Sequence, residues 1–204
     1  MPTAPRRTRA QMLDETRGHL LAAAREHFAE HGYAATSMDE LTASVGLTRG
    51  ALYHHFGGKS GLLDAVVRDM DDELCVQLKA ILYSGDTDPL AALAERSRAY
   101  IEKTQTPQFQ RIMLTDAPAV VADAIEETSK ACVATLTEVL EDARNQGLVS
   151  ASLSSAAVAT MLNGALADAS RWVAAAPEGE GSERLRLALD SATALVEGLR
   201  ISSR

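Results

Sequence analysis

Thr48, Arg49, Gly50, Tyr53 and His54 fall on one side of a short helical stretch, and each is either small or able to hydrogen bond. Such residues on a face without acids suit close approach to the base edges and phosphates of a DNA groove. His55 and Lys59 follow at the end of the same stretch, where phosphate-contacting groups would fix a docking register. Upstream, MPTAPRRTRA holds Arg6, Arg7 and Arg9 and no acid. His27 and His31 stand at i and i+4, a spacing that can hold a metal. No Cys or third His is placed to complete such a site, so the expectation is a solvated helix face and no metal. No phosphate-binding loop, dinucleotide fingerprint or nucleophile elbow occurs, so neither a cofactor nor an enzymatic activity is expected.

Two short helices must position the hydrogen-bonding face. Ser37 can cap the first, with Glu40 folding back to complete a capping box. Met38, Leu41 and Val45 then share an apolar face. Gly46 stands where a sharply turning helix needs positive φ, and Leu47 plugs the turn. Thr48 can cap the second helix, on which Leu52 and Phe56 continue the apolar face four residues apart. The pattern is a helix-turn-helix. Any helical hairpin shares part of it, so a helical small-molecule carrier or enzyme in which the hairpin merely packs stands as the alternative.

The run from Thr36 to Lys59, and GLTRGALYHHFGGK above all, resembles the N-terminal DNA-binding domain of TetR/AcrR-type bacterial transcriptional regulators. The stretch ETRGHLLAAAREHFAEHGYAATSM fits that family's first helix, and the resemblance covers about residues 13–73. It implies that the second motif helix enters the major groove of a palindromic operator. It also implies backbone or groove contacts at Thr36, Thr48, Arg49, Gly50, Tyr53, His54, His55 and Lys59, with Ser37 beside them. One departure is GGKSG at 57–61, where the family more often has an acid just after the lysine; its absence weakens the expected start of a fourth helix.

The rest of the chain reads as helical. Of 204 residues only 4% are aromatic, and no alternating β-branched runs occur. The expectation is an all-α chain of about nine helices: a basic arm over 1–12, a DNA-binding unit over 13–73, and a ligand-binding and dimerisation domain over 74–204. The first helix should run from Gln11 to His31, and the fourth from Lys59 to Leu82, long enough to act as a lever into the body. Breaks at 84–89, 104–107, 115–118, 145–150 and 175–182 delimit helices at about 90–103, 108–114, 118–145, 154–175 and 183–200. The net charge of −8 is unevenly spread: residues 1–60 carry seven basic groups against six acidic, whereas 61–204 carry thirteen against twenty-two. An acidic body suppresses non-specific DNA binding and leaves specificity to a few oriented contacts.

No secretory signal and no bilayer-length apolar run is seen, which implies a cytoplasmic protein without a membrane partner. Cys75 and Cys132 make no disulfide framework and are expected as small buried side chains, a thiol trigger being the alternative. The last two helices are the candidates for a homodimer interface, through Val158, Met161, Ala165, Asp168 and Trp172 on one and Leu185, Leu189, Ala192, Val196 and Leu199 on the other. Tyr100, Phe109, Met113, Asn163 and Trp172 could enclose an apolar ligand cavity with a few polar anchors. The resemblance likewise implies a small molecule among the body helices that moves the fourth helix and releases the operator, hence a repressor. Few basic residues in the body argue against a strongly anionic ligand.

Overall fold

Leu20, Ala24 and Phe28, at helical spacing, are fully buried and anchor a long first helix against everything that follows. The computed structural model describes residues 9–83 and 88–201, with side chains from Glu15 onward. Of the basic arm expected over 1–12, residues 1–8 with Arg6 and Arg7, and the side chain of Arg9, lie outside the described residues, whereas 9–12 are not an arm but the first turn of α1. Helix α1 (Arg9–Ala35) breaks at Gly32, whose φ of 75° leaves the helical region, and only a last turn follows. Then come α2 (Met38–Ser44) and α3 (Arg49–Phe56), joined by a turn in which Gly46 has φ 67°. Helices of seven and eight residues are too short to persist alone. Met38, Leu41 and Leu52 are buried against α1 and the start of α4 and hold them in place.

Helix α4 (Lys59–Leu82) buries Leu62, Leu63, Val66, Val67, Met70, Leu74 and Leu78 on one stripe. Its first turn lacks both an acid and a side-chain cap. It is seated instead by close approach: a Cβ on Gly61 would lie 1.8 Å from the Phe56 carbonyl oxygen at the end of α3. The missing acid therefore coincides with a glycine that lets α3 and α4 touch backbone to backbone. Through this stripe α4 runs from the core of the N-terminal head toward that of the body, where Leu82 packs.

The body continues with α5 (Pro89–Lys103), capped by Asp88 through the N–H groups of Leu90 and Ala91. Three segments then follow without a gap: α6 (Pro107–Phe109), a π-helical stretch (Gln110–Asp116) and α7 (Ala117–Val120). The expected break at 115–118 is not there. Pro118 is accommodated directly after the widened π turn, and the chain leaves the helix only at Val121, with φ −132° and ψ 51°. Next come α8 (Ala122–Asn145), α9 (Ser155–Ala174) and α10 (Gly181–Glu197). Counting 107–120 as one rod, the described residues form nine helices and no strand beyond an isolated bridge between Val149 and Arg200. Among them no helix is long and apolar enough to cross a membrane.

One expected face is corrected. On α10, Leu189, Ala192 and Val196 are buried in the chain's own core, with Leu185 and Leu199 packed at its margin. The residues α10 turns outward are Leu187 and Leu195, the latter 57% exposed. On α9 the expected stripe does face out, with Met161 and Trp172 exposed. Periodicity located an apolar stripe on α10 without saying which neighbour it served.

Gly61→Ala should lower Tm by roughly 2–12 °C, from about 1–3 kcal/mol of forced separation between α3 and α4. Differential scanning calorimetry would read this, and an unchanged Tm would mean that the two helices are not in backbone contact.

Candidate functional site

The hydrogen-bonding face of α3 is built as a projecting ridge. Ser37 Oγ accepts from Glu40 N–H at 3.3 Å, while the reciprocal bond from the Glu40 side chain is not formed, so the capping box is half made. Thr48 Oγ1 accepts from Ala51 N–H at 3.2 Å and sets the first turn of α3. Arg49, Gly50, Tyr53 and His54 are exposed, Tyr53 at 61%. The Arg49 guanidinium is paired with Asp39 of α2 at 2.8 Å. That neighbour was invisible when α3 alone was inspected for acids. Both partners are largely exposed, so the pair contributes about 0–1 kcal/mol and yields readily to a phosphate. His54 and His55 meet edge to face with centroids 5.5 Å apart, and half-buried His55 leans on Phe56.

Lys59 is fixed from behind. Its Nζ donates to the Ala34 carbonyl at 3.2 Å and lies 4.7 Å from the centre of the Tyr33 ring. Burial pushes its pKa below the ordinary lysine value, opposed by the charge of Asp116. An ammonium has three donors, so those bonds orient it and leave capacity for another acceptor. Thr36 differs from expectation. It is buried, and its hydroxyl donates inward to Gly32 O at 2.8 Å and His27 O at 3.2 Å. It locks the end of α1, and its side chain is withdrawn from the candidate contacts.

Behind this ridge, the stretch 110–116 grips the broken end of α1. Asp116 Oδ2 accepts the Tyr33 N–H at 2.8 Å, and Arg111 Nη2 donates to the His31 carbonyl at 3.3 Å while pairing with Asp116 at 3.6 Å. Gly32 is needed here for its φ of 75°, and the Arg111 guanidinium lies against it, 2.1 Å from where a Cβ would stand. His27 and His31 stand edge to face at 5.7 Å, and no cluster of three metal-type side chains occurs among the described residues.

The other side of the same stretch lines a cavity of about 310 Å³ shared by α4, α5, α8 and α9. Tyr100, Phe109, Met113 and Asn163 all face it; Trp172 does not. Asn163 and Trp172 are nine residues apart, about two and a half turns, and therefore on opposite sides of α9. Trp172 is instead 44% exposed, beneath the Arg184 guanidinium, in a shallow groove with Ala165, Leu187 and Leu195. Asn163 Nδ2 donates to Ser129 Oγ at 3.0 Å. Burial pushes the Tyr100 phenol up to about 12. Both cysteines are half-buried and line the cavity, rather than filling the core as expected. Cys75 Sγ lies 3.6 Å from Asp71 Oδ2, and burial, reinforced by Asp71, raises its thiol to about 11. Arg96, also at the cavity, was missed. Its signal was legible: it falls on the apolar face of α5, with Leu93 three before it and Tyr100 four after.

Comparison with known proteins adds to this geometry. Residues 20–66 match the profile described as bacterial regulatory proteins, tetR family, and residues 90–199 match the tetracyclin repressor-like C-terminal domain. A solved structure of a TetR-family transcriptional regulator from Pectobacterium atrosepticum is 42% identical, covers 97% of this chain and all of that one, and superposes with a TM-score of 0.83. The HTH-type transcriptional regulator AcrR of Shigella flexneri is 34% identical over 107 residues, 51% of this chain and 48% of that protein. The HTH-type transcriptional repressor KstR2 of Mycobacterium tuberculosis is 31% identical over 52% of this chain and 53% of its own length. The chain thus spans about half the length of the curated relatives it matches.

Thr48→Ala should remove the α3 cap and cost about 1 kcal/mol, lowering Tm by roughly 2–4 °C; no change would mean that the cap does not hold α3. With its thiol at about 11, Cys75 should alkylate at pH 8 roughly a hundredfold more slowly than a thiol of the ordinary pKa of 9.0, because only the thiolate reacts. Peptide mapping after timed iodoacetamide exposure checks this, and rapid labelling of Cys75 would contradict it.

Proposed function

The chain belongs to the tetR family of bacterial regulatory proteins and is a transcriptional regulator with a helix-turn-helix DNA-binding unit, and from that premise we propose that it is a dimeric repressor which a small molecule releases from a palindromic operator. The observation that carries the proposal is a shared helix. Residues 107–120 present Phe109 and Met113 to the cavity while Arg111 and Asp116 hold the end of α1. A molecule that fills the cavity acts on the same rod that sets the pose of the head.

In this reading α3 enters the major groove. Arg49, Gly50, Tyr53 and His54 read it, while Ser37, Thr48, His55 and Lys59 hold the backbone. Two heads are brought to one operator by pairing of the outward faces of α9 and α10, through Met161, Trp172, Leu187 and Leu195, which support an isologous contact. Tyr100, Phe109, Met113 and Asn163 line the ligand site. The ligand prefers the DNA-incompetent pose by a few kcal/mol, since equal affinity for both states would shift nothing. Repression follows the name of the Mycobacterium tuberculosis relative, and the workplace is the cytoplasm, where the operator is. A second reading has its own observation: Cys75 and Cys132 share the cavity, and Arg96 Nη2 lies 2.9 Å from Cys132 Sγ, so a thiol-reactive signal could act at the same place. A Cys75→Ser, Cys132→Ser double variant that responds normally to the inducing condition removes it.

Selection of bound sequences from a random duplex pool should return a palindrome with two half-sites in regular spacing. Binding to it should weaken steeply with salt. Tyr53→Ala and Lys59→Ala should each weaken binding at least tenfold with the dimer intact by sedimentation. No enriched sequence would contradict the operator reading, and full affinity in both variants would contradict the assigned contacts.

A further inference from the structure

Arg96 is a charged side chain taken out of water, with 4% of its surface exposed. A guanidinium in such a place is costly unless its charge and its five donors find partners. Nη2 donates to Cys132 Sγ, a weak acceptor, at 2.9 Å, and the guanidinium carbon stands 5.8 Å from the Tyr100 ring centre. Nε is buried with no partner at all. Among the described residues no carboxylate comes within ion-pair distance of Arg96. Asp71 shares the cavity wall without touching Arg96; burial raises its carboxyl pKa, and the Arg96 charge opposes that shift. The cavity's other guanidinium, Arg171, is already paired with Asp168. Arg96 therefore faces the space with its Nε unpartnered and, among the described residues, no carboxylate in ion-pair contact.

We propose, on the reading of this cavity as the ligand site, that the ligand is a small organic monocarboxylate with an aromatic or branched aliphatic body, its carboxylate held by Arg96. The planar fork of a guanidinium matches two carboxylate oxygens better than any other side chain does. The Tyr100 hydroxyl, which has no hydrogen-bond partner among the described residues, can donate to the same group. Leu74, Phe109, Met113 and Ile125 offer the body an apolar wall. The space of about 310 Å³ has room for a single ring or a short branched chain. The overall scarcity of basic residues in the body pointed away from an anion; a single buried one placed at the cavity outweighs it.

The test is calorimetric and thermal-shift titration of the full-length chain with matched acids, primary amides and amines on four bodies: benzyl, phenylethyl, isobutyl and pentyl. At least one acid should bind tenfold or more tightly than its amide and its amine. Arg96→Met should abolish that preference without lowering the Tm of the free protein, while Arg171→Met keeps it. Arg96→Lys, which retains charge without the fork, should keep a reduced preference and serves if the Met variant fails to fold. Amides or amines that bind as well as acids overturn the anion and leave the cavity as a ligand site. An acid preference that survives loss of Arg96 overturns the anchor. No binding by any compound of the three classes overturns both the anion and the ligand-site reading.

Discussion

Asp116 accepts the Tyr33 N–H at 2.8 Å, and this bond ties the broken end of α1 in the head to the body. Gly32 interrupts α1 and leaves backbone groups at its end without helical partners. The chain satisfies them from the body: the Asp116 carboxylate takes the donor, and Arg111 takes the His31 carbonyl. A part-buried charge-assisted bond such as that of Asp116 contributes about 1.5–3 kcal/mol, which is large against the stability of a three-helix head, while the exposed Arg111 bond contributes less. Lys59, the cation proposed to touch phosphate, sits over Tyr33 and feels the charge of Asp116. A displacement of Asp116 is therefore felt by the break in α1, by the Tyr33 ring and by Lys59 together.

Two continuous elements join head and body, and they differ in what they transmit. Helix α4 buries one stripe from Leu62 to Leu78 and is locked to α3 by the backbone approach at Gly61, so it carries rigid-body motion. The rod over 107–120 contains a π stretch, where the helical ladder is already out of its normal register. In the proposed repressor, a ligand lying against Met113 and Phe109 presses on that irregular stretch. A repacking there costs less than bending a regular helix and moves Arg111 and Asp116 directly.

Much of this was legible in the residues. Capping side chains, a turn glycine and apolar pairs at i and i+4 located α2 and α3 closely, because short-range rules govern short helices. Tyr100, Phe109, Met113 and Asn163 were found from residue type and do share a cavity. Trp172 was not separable by type, though its phase on α9 placed it on the opposite face. The inward use of Leu189, Ala192 and Val196 could not be read, since a stripe looks the same whether it meets its own core or a second copy. Pro118 suggested a boundary that the π turn removed. Asp39 beside Arg49, and Asp116 beside Tyr33, are pairings between distant or differently oriented elements and leave no local trace.

In the proposed repressor the body sets operator affinity through the Asp116 link, and the affinity of Asp116→Ala for the selected operator across a salt series reads that link. Affinity should fall at least tenfold with an unchanged salt slope, because the phosphate contacts persist while the pose of the head is released. Wild-type affinity in the variant would contradict it, and so would a shallower slope, which would show that Asp116 matters only by tuning Lys59.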